Sequence, residues 1–86
     1  MAIEFDPAKD VSNVAKHGMS LVDFQGFDDD PLIVVDARKD YGETRYLGIG
    51  RIDGVGHCIV FTVRGGAMRL ISFRRARDKE MRRYGR

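Results

Sequence analysis

The residues best suited to chemistry in this sequence are arginines, and they are concentrated near the C-terminus. Residues 64–86 contain nine Lys or Arg and two Asp or Glu, a net charge of +7. Residues 1–43 carry a net charge of −6, so the overall charge of +2 hides a strong asymmetry. A guanidinium binds phosphate oxygens through two parallel N–H donors and does not lose its charge. The basic segment therefore indicates a polyanionic partner, which the acidic half of the chain must avoid.

The strands that contain these arginines must position them. Two apolar runs flank a Gly-Gly turn signal, so residues 57–76 are predicted to form a β-hairpin. Because strand side chains alternate between faces, Arg69 is predicted to share a face with Phe73, and Arg74 is predicted to lie on the opposite face. A single arginine at a strand end could simply bury its stem and leave its charge in water. The clustering of the charges favours a binding surface.

The N-terminal half begins with a short strand and a helix. Alternation over Ile3–Phe5 predicts an edge strand. Asp6 before a proline is typical of a helix start and Gly18 of a helix end, so a helix is predicted over about residues 7–17. Its apolar stripe is formed by Val11, Val14 and Ala15.

The remaining pattern completes an α+β fold. Ser20 opens a capping pattern for a second short helix, with Leu21, Phe24 and Phe27 as its buried face. Strands are predicted at residues 32–35 and 44–52, and a charged helix is predicted after residue 77. The expected architecture is two N-terminal helices packed on a four- to five-stranded, mostly antiparallel sheet, with a C-terminal helix. All of residues 1–86 would form a single domain.

Metal-based and membrane-bound functions have little support. Cys58 is the one cysteine and is predicted to be a buried structural thiol. His17 and His57 show no metal-ligand spacing, and His57 is predicted to be a surface residue beside a turn. The run Asp28-Asp29-Asp30 lacks the ligand pattern of a calcium loop. No apolar run could span a membrane and no signal peptide is evident, so a cytoplasmic protein without a metal or other cofactor is expected.

Several short pieces of the chain match a known family when they are read in order. They are Phe5-Asp6-Pro7-Ala8-Lys9, Asn13, Lys16-His17-Gly18, Phe24, Phe27-Asp28-Asp29, Gly42-Glu43-Thr44-Arg45, Ile49-Gly50, Arg69-Leu70-Ile71-Ser72, Arg74-Arg75-Ala76, Glu80 and Tyr84. In this order and spacing, the chain resembles the BrnT family of type II toxins over nearly its whole length. The resemblance implies a RelE-like fold and a ribonuclease toxin that inhibits translation by cutting RNA.

The resemblance also implies partners. It implies a BrnA-like antitoxin with a ribbon-helix-helix DNA-binding part, encoded beside the toxin, and operator DNA that is bound only through the toxin-antitoxin complex. Three residues depart from the family pattern: Phe5 replaces a usual tryptophan, Phe73 replaces a small residue, and Arg77 replaces a frequent Ser or Thr helix cap. The first two change packing, and the third weakens the start of the last helix.

RNA cleavage of the implied kind, without a metal ion, makes specific demands on side chains. A base must take the 2′-hydroxyl proton, cations must stabilise the charge that develops on the phosphate, and an acid must protonate the 5′-oxygen. Arg45, Arg69 and Arg74 are predicted to supply the cations, because strands hold them in fixed directions. His17 and Glu43 are the predicted proton-transfer residues. Each also has a structural alternative, His17 as a helix-end cation and Glu43 as the ion-pair partner of Arg45.

Further side chains are predicted to bind the RNA strand, namely Lys16, Arg75, Arg83 and Tyr84. Tyr84 is also a candidate for acid–base chemistry, although it could instead pack against the sheet. Two other functions stay open. The basic face could bind nucleic acid without cutting it, or it could meet an acidic protein partner.

Overall fold

A five-stranded sheet with helical segments on both faces forms the protein in the computed structural model, which describes residues 2–86. In chain order the elements are β1 (Ile3–Phe5), α1 (Pro7–His17), a 3₁₀ turn (Leu21–Asp23), β2 (Leu32–Val35), β3 (Tyr46–Ile52), β4 (Val55–Arg64), β5 (Ala67–Arg75) and α2 (Asp78–Arg83). The spatial order is β1-β5-β4-β3-β2. β1 runs parallel to β5, and the other neighbouring pairs are antiparallel. The α+β class is confirmed, and the sheet is mixed.

The predicted hairpin is confirmed. Gly65 and Gly66 form its turn with φ values of 55° and 77°, a left-handed conformation that glycine adopts without strain. Arg64 and Ala67 pair directly on either side of this turn. The hairpin therefore fixes the register of the two longest strands, which carry most of the polar residues of interest.

Helix α1 begins and ends where the sequence predicts. A carboxylate oxygen of Asp6 accepts a hydrogen bond from the Ala8 N–H at 2.8 Å, and Gly18 ends the helix with φ at 69°. The predicted apolar stripe is wrong, since Val11 is 71% exposed and Val14 46% exposed. The buried residue of α1 is Asn13.

Asn13 joins α1 to the edge of β5. β1 pairs with β5 only as far as Leu70, which leaves the edge of β5 open beyond that residue. The Asn13 amide donates to the Phe73 carbonyl at 2.8 Å and accepts from the Phe73 N–H at 3.0 Å. It also donates to the Met19 carbonyl at 2.8 Å. One side chain therefore takes the place of a neighbouring strand at this edge.

The predicted second helix is wrong, because the chain makes only the 3₁₀ turn before it becomes extended. The Ser20 hydroxyl and the Leu21 N–H both donate to the Asp10 carboxylate, which holds the turn against α1. Phe24 already has ψ at 117°, and Gly26 has φ at 115°, a value that a helix cannot contain. This extended path lets Phe24 and Phe27 pack edge to face, with ring centroids 5.2 Å apart.

Two hydrophobic clusters hold the layers together. The larger contains Leu21, Phe24, Ile59, Phe61, Leu70 and Phe73, and the smaller contains Ile49, Cys58 and Met81 of α2. Two positions of β3 require glycine because neighbouring side chains lie too close for a Cβ atom. A Cβ on Gly48 would lie 2.9 Å from the Ile59 side chain, and one on Gly50 would lie 2.8 Å from the Phe27 ring.

A β-bulge interrupts β5. Val60 pairs with Ser72 and the next β4 residue, Phe61, pairs with Leu70, so Ile71 is an extra residue in β5. One extra residue reverses the alternation of faces along the strand. After Ile71, each side chain of β5 therefore lies on the opposite face from the one that unbroken alternation predicts.

The bulge corrects the predicted faces of the arginines. Arg69 lies opposite Thr62 of β4, and Arg74 lies opposite Cys58. Thr62 and Cys58 are four residues apart in one strand and share a face, so Arg69 and Arg74 also share it. Phe73 lies on the other face with the larger cluster. The prediction that Arg69 and Phe73 share a face is wrong.

The helix α2 covers part of the face that carries Arg69 and Arg74. It has six residues and lies where the sequence predicts a charged helix, after residue 77. In place of a Ser or Thr cap, a carboxylate oxygen of Glu80 accepts a hydrogen bond from the Arg77 N–H at 2.9 Å. Within residues 2–86, no helix has the length and apolar character needed to cross a membrane.

We predict that Asn13→Ala destabilises the protein by about 2 kcal/mol or more, because it leaves the buried N–H and C=O groups of Phe73 without partners. For a domain of this size the melting temperature should fall by roughly 10 °C. Ser12→Ala, at an exposed position of the same helix, should change the free energy of unfolding by less than about 0.5 kcal/mol. Equal melting temperatures for Asn13→Ala and the unmodified protein would show that this bridge is not structural.

Candidate functional site

Two adjoining clefts lie where the ends of α1 and β5 and the start of α2 come together. One is about 440 Å³ and the other about 430 Å³, and they share His17, Arg74 and Arg75. We call the pair the His17 cleft; its full lining is His17, Gly18, Met19, His57, Arg74, Arg75, Arg77 and Glu80. Because Asn13 fastens α1 to the edge of β5, His17 is placed beside the arginines.

Arg74 is held by an ion pair within this cleft. Its two terminal nitrogens donate to the two carboxylate oxygens of Glu80 at 2.8 and 2.9 Å. This paired hydrogen bond lowers the pKa of Glu80 from 4.5 to about 2, and the Arg77 N–H adds to the effect. Glu80 is therefore ionised at neutral pH and does not serve as a proton donor. Its role is to orient Arg74 and to moderate the positive charge of the cleft.

Arg75 is the freer cation of the cleft. It is exposed at the end of β5 and forms no ion pair within residues 2–86. In the β4–β5 ladder it lies directly opposite His57. An anion entering the cleft can bind Arg75, or the likewise exposed Arg77, without displacing a carboxylate.

His57 belongs to the cleft, so its predicted surface position is wrong. It is only 7% exposed, and its ring lies 5.5 Å from the ring of Phe73. The sequence contains a signal for this burial. Strand side chains alternate between the two faces, so His57 shares the inner face of β4 with Ile59 and Phe61. A position beside Gly56 and a turn favours exposure, but the alternation along β4 is the stronger signal at this residue.

Glu43 and Arg45 lie elsewhere. Glu43 lines a separate cleft of about 420 Å³ with Tyr46, Thr62 and Arg64. The Arg64 guanidinium donates to Glu43 at 2.9 Å, and this hydrogen bond lowers the pKa of Glu43. A carboxyl group with a lowered pKa is a weaker base, so the geometry favours Glu43 as an ion-pair partner over Glu43 as a proton acceptor.

Arg45 is constrained on two sides. Its guanidinium carbon lies 4.0 Å from the centre of the Tyr41 ring, a close cation–π contact. Its Nε lies 3.6 Å from a carboxylate oxygen of Glu43 and, alone among the side-chain N and O atoms of residues 2–86, is fully buried without a hydrogen-bond partner. These two contacts hold the side chain, although Arg45 lies just before β3 and not within the strand that the sequence predicts from residue 44.

Arg69 lines neither the His17 cleft nor the cleft that contains Glu43. It forms an ion pair with Glu4 of β1, with 3.3 Å between nitrogen and oxygen. Its pairing opposite Thr62 puts it on the same sheet face as Arg74.

The predicted RNA-binding residues are dispersed. Lys16 is exposed next to His17, and Arg75 lines the cleft. Arg83 is exposed on α2 with its guanidinium carbon 5.5 Å from the centre of the Tyr84 ring. Tyr84 itself packs against the smaller hydrophobic cluster, which is the structural alternative that the sequence left open.

The structure thus places His17 with Arg74 and Arg75 in one cleft. It places Glu43 beside Arg45 at a separate site. Arg77, Glu80 and His57 also line the His17 cleft, although the sequence pattern predicts no chemical role for them. The His17 cleft contains imidazoles, guanidiniums and N–H donors, a set suited to holding a phosphate and transferring protons beside it.

The chain was compared with models of known protein families. The model of a family described as "Ribonuclease toxin, BrnT, of type II toxin-antitoxin system" matches residues 5–80. This span covers most of the chain and contains every residue that lines the His17 cleft. No curated protein matches the sequence.

We predict that the Arg74–Glu80 pair makes stability pH-dependent. Because the pKa of Glu80 falls from 4.5 to about 2 on folding, its stabilising effect is present above its unfolded-state pKa and is lost as pH falls through its folded-state pKa. Glu80→Gln should cost about 1 kcal/mol of unfolding free energy at neutral pH, a figure reduced for solvent screening. The difference from the unmodified protein should shrink as the pH falls.

Denaturant unfolding of both proteins, from neutral pH to about pH 3, measures this difference. Asp78→Asn removes a carboxylate from the same turn of α2 but keeps the Arg74–Glu80 pair, so it serves as the matched control. A Glu80→Gln deficit that stays constant with pH would rule out the ion pair as its source.

Proposed function

The chain belongs to the BrnT family of ribonuclease toxins of type II toxin-antitoxin systems, and we propose that it cuts RNA internally, without a metal ion, in the His17 cleft. The observation that carries the proposal is the shared lining of this cleft, where His17 lies with Arg74 and Arg75. An imidazole can both accept and donate a proton, and a guanidinium holds a phosphate in a defined orientation.

The reaction that suits this lining is attack by the RNA 2′-oxygen on the neighbouring phosphorus. Negative charge builds up on the phosphate oxygens in the transition state, and preorganised N–H donors stabilise it. Arg75 is accessible for this role, while Arg74 is held in place by Glu80. His17 is exposed at the cleft and can exchange protons with solvent.

Metal independence is part of the proposal, and the donor set supports it. Within residues 2–86, no group of three His, Cys, Asp or Glu side chains is arranged to hold a metal ion. The cleft is lined by three arginines, Arg74, Arg75 and Arg77, and by one carboxylate, Glu80, which is already paired with Arg74.

Binding of the rest of the RNA is assigned to the other basic residues. Arg69 shares a sheet face with Arg74, and Arg45 directly precedes β3 beside the cleft of Glu43. We assign both to the RNA backbone on either side of the cut, together with Lys16 and Arg83. Each phosphate contact of this kind adds affinity that salt weakens.

The biological consequence that we propose is inhibition of translation through loss of RNA, with the toxin acting in the cytoplasm. The helical segments on both faces of the sheet are consistent with the RelE-like fold that the resemblance implies. A type II toxin of this family has an antitoxin partner, and we propose that this partner is BrnA-like and carries the complex to operator DNA through a ribbon-helix-helix part.

We predict that Arg75→Ala lowers the rate of RNA cleavage by about 10²-fold or more, the scale of losing one transition-state donor. Arg82→Ala is the matched control, because Arg82 is exposed on α2 and lines a different cleft with Arg51 and Met81. It should cleave at close to the unmodified rate.

The assay uses purified protein with a mixed-sequence RNA pool, free and on bacterial ribosomes, with products separated by gel electrophoresis. Binding without shortening of the RNA would indicate a nucleic-acid-binding module and would contradict the proposal. Equal rates for Arg75→Ala and Arg82→Ala would move the active site away from this cleft.

We also predict that the antitoxin covers the basic face, because residues 64–86 carry a net charge of +7 that an acidic segment would neutralise. Arg69, Arg74 and Arg83 should lose solvent exposure in the complex. A structure of the complex in which these three side chains stay exposed would contradict this mode of neutralisation.

A further inference from the structure

We propose that His57 is the general base of the RNA cleavage reaction and that His17 is the general acid. The inference rests on the proposed function and deepens it, because it assigns the two proton transfers to particular atoms. It starts from the shared cleft, which His57 lines together with His17, Arg74 and Arg75.

The hydrogen bond of the His57 ring fixes its tautomer. Nδ1 lies 2.8 Å from the carbonyl oxygen of Val55, and a carbonyl oxygen can only accept. The hydrogen of the neutral ring is therefore on Nδ1, and Nε2 keeps a lone pair that can take a proton. An orienting partner on one ring nitrogen and a basic lone pair on the other is the arrangement that general-base histidines require.

The ring is also held rigidly. It is 7% exposed, and it packs at 34° to the ring of Phe73 with 5.5 Å between the ring centres. The strand pairing fixes Arg75 directly opposite His57. A phosphate bound by Arg75 would therefore present its neighbouring 2′-hydroxyl group near His57, in a site where rotation of the imidazole is restricted.

The reaction balances without any other reagent. His57 Nε2 takes the 2′-hydroxyl proton as the 2′-oxygen forms a bond to phosphorus. The bond between phosphorus and the 5′-oxygen breaks, and that oxygen receives a proton from the His17 imidazolium. The products are an RNA end with a 2′,3′-cyclic phosphate and an RNA end with a 5′-hydroxyl. Proton exchange with solvent returns both imidazoles to their starting states.

Asparagine at position 57 separates the chemical role from the structural one. The side-chain amide nitrogen of Asn occupies nearly the place of Nδ1 and can still donate to the Val55 carbonyl, but no basic nitrogen replaces Nε2. His57→Asn should lower the single-turnover cleavage rate by about 10²-fold or more. Its affinity for a 2′-O-methyl RNA pool, which cannot be cleaved, should stay within a few-fold of that of the unmodified protein.

Circular dichroism checks that His57→Asn is folded, and added imidazole provides a second test. Imidazole should restore part of the cleavage rate of His57→Ala, because it can enter the space left by the ring and act as the base. Rescue is not expected if the ring is only a packing element. Analysis of the product ends should find 2′,3′-cyclic phosphate and 5′-hydroxyl groups.

The outcomes are distinct. If the unmodified protein cleaves RNA and His57→Asn cleaves at the same rate, His57 is not the base, although the proposed function stands. A loss of RNA binding in step with the loss of cleavage would also overturn the role, since His57 would then act in binding. If the unmodified protein cleaves no RNA, the proposed function itself fails.

Discussion

The hydrogen bonds between the Asn13 amide and the backbone of Phe73 are the constraint on which the arrangement of the cleft depends. β1 is too short to cover the whole edge of β5, and the exposed backbone groups beyond it need partners. Asn13 supplies them from a helix, which is a residue-specific solution that an apolar side chain could not provide. Because the contact lies one turn before the end of α1, it also fixes the position of His17. A structural need of the sheet edge thereby places an imidazole beside two arginines.

Charge pairing shapes the basic face as strongly as the strands do. Arg69, Arg74 and Arg64 each pair with a carboxylate, and the partners Glu4, Glu80 and Glu43 come from β1, α2 and the segment before β3. These pairs hold the guanidiniums in position before a ligand arrives, which reduces the ordering cost of binding an anion. Arg75 has no such partner within the described residues, so it is available for the first contact with phosphate.

Much of the fold is predictable from local signals, while the site is only partly so. The bounds of α1 follow from Asp6 and Gly18, and the hairpin turn follows from its glycine pair, because each signal acts through neighbouring backbone atoms. The bulge at Ile71 has no local signature, and it reverses the face of every later residue in β5. The role of Asn13 depends on a residue sixty positions away. The burial of His57 has a local signal, the alternation along β4, but the turn beside it is a competing signal that favours exposure.

We place the scissile phosphate in the His17 cleft. A crystal structure of the protein with an RNA strand that 2′-O-methyl groups protect from cleavage would test this placement directly. We expect a phosphate within hydrogen-bond distance of the Arg75 guanidinium, with the rings of His17 and His57 beside it. An RNA strand bound at the cleft of Glu43, with no phosphate near Arg75, would show that the placement is wrong.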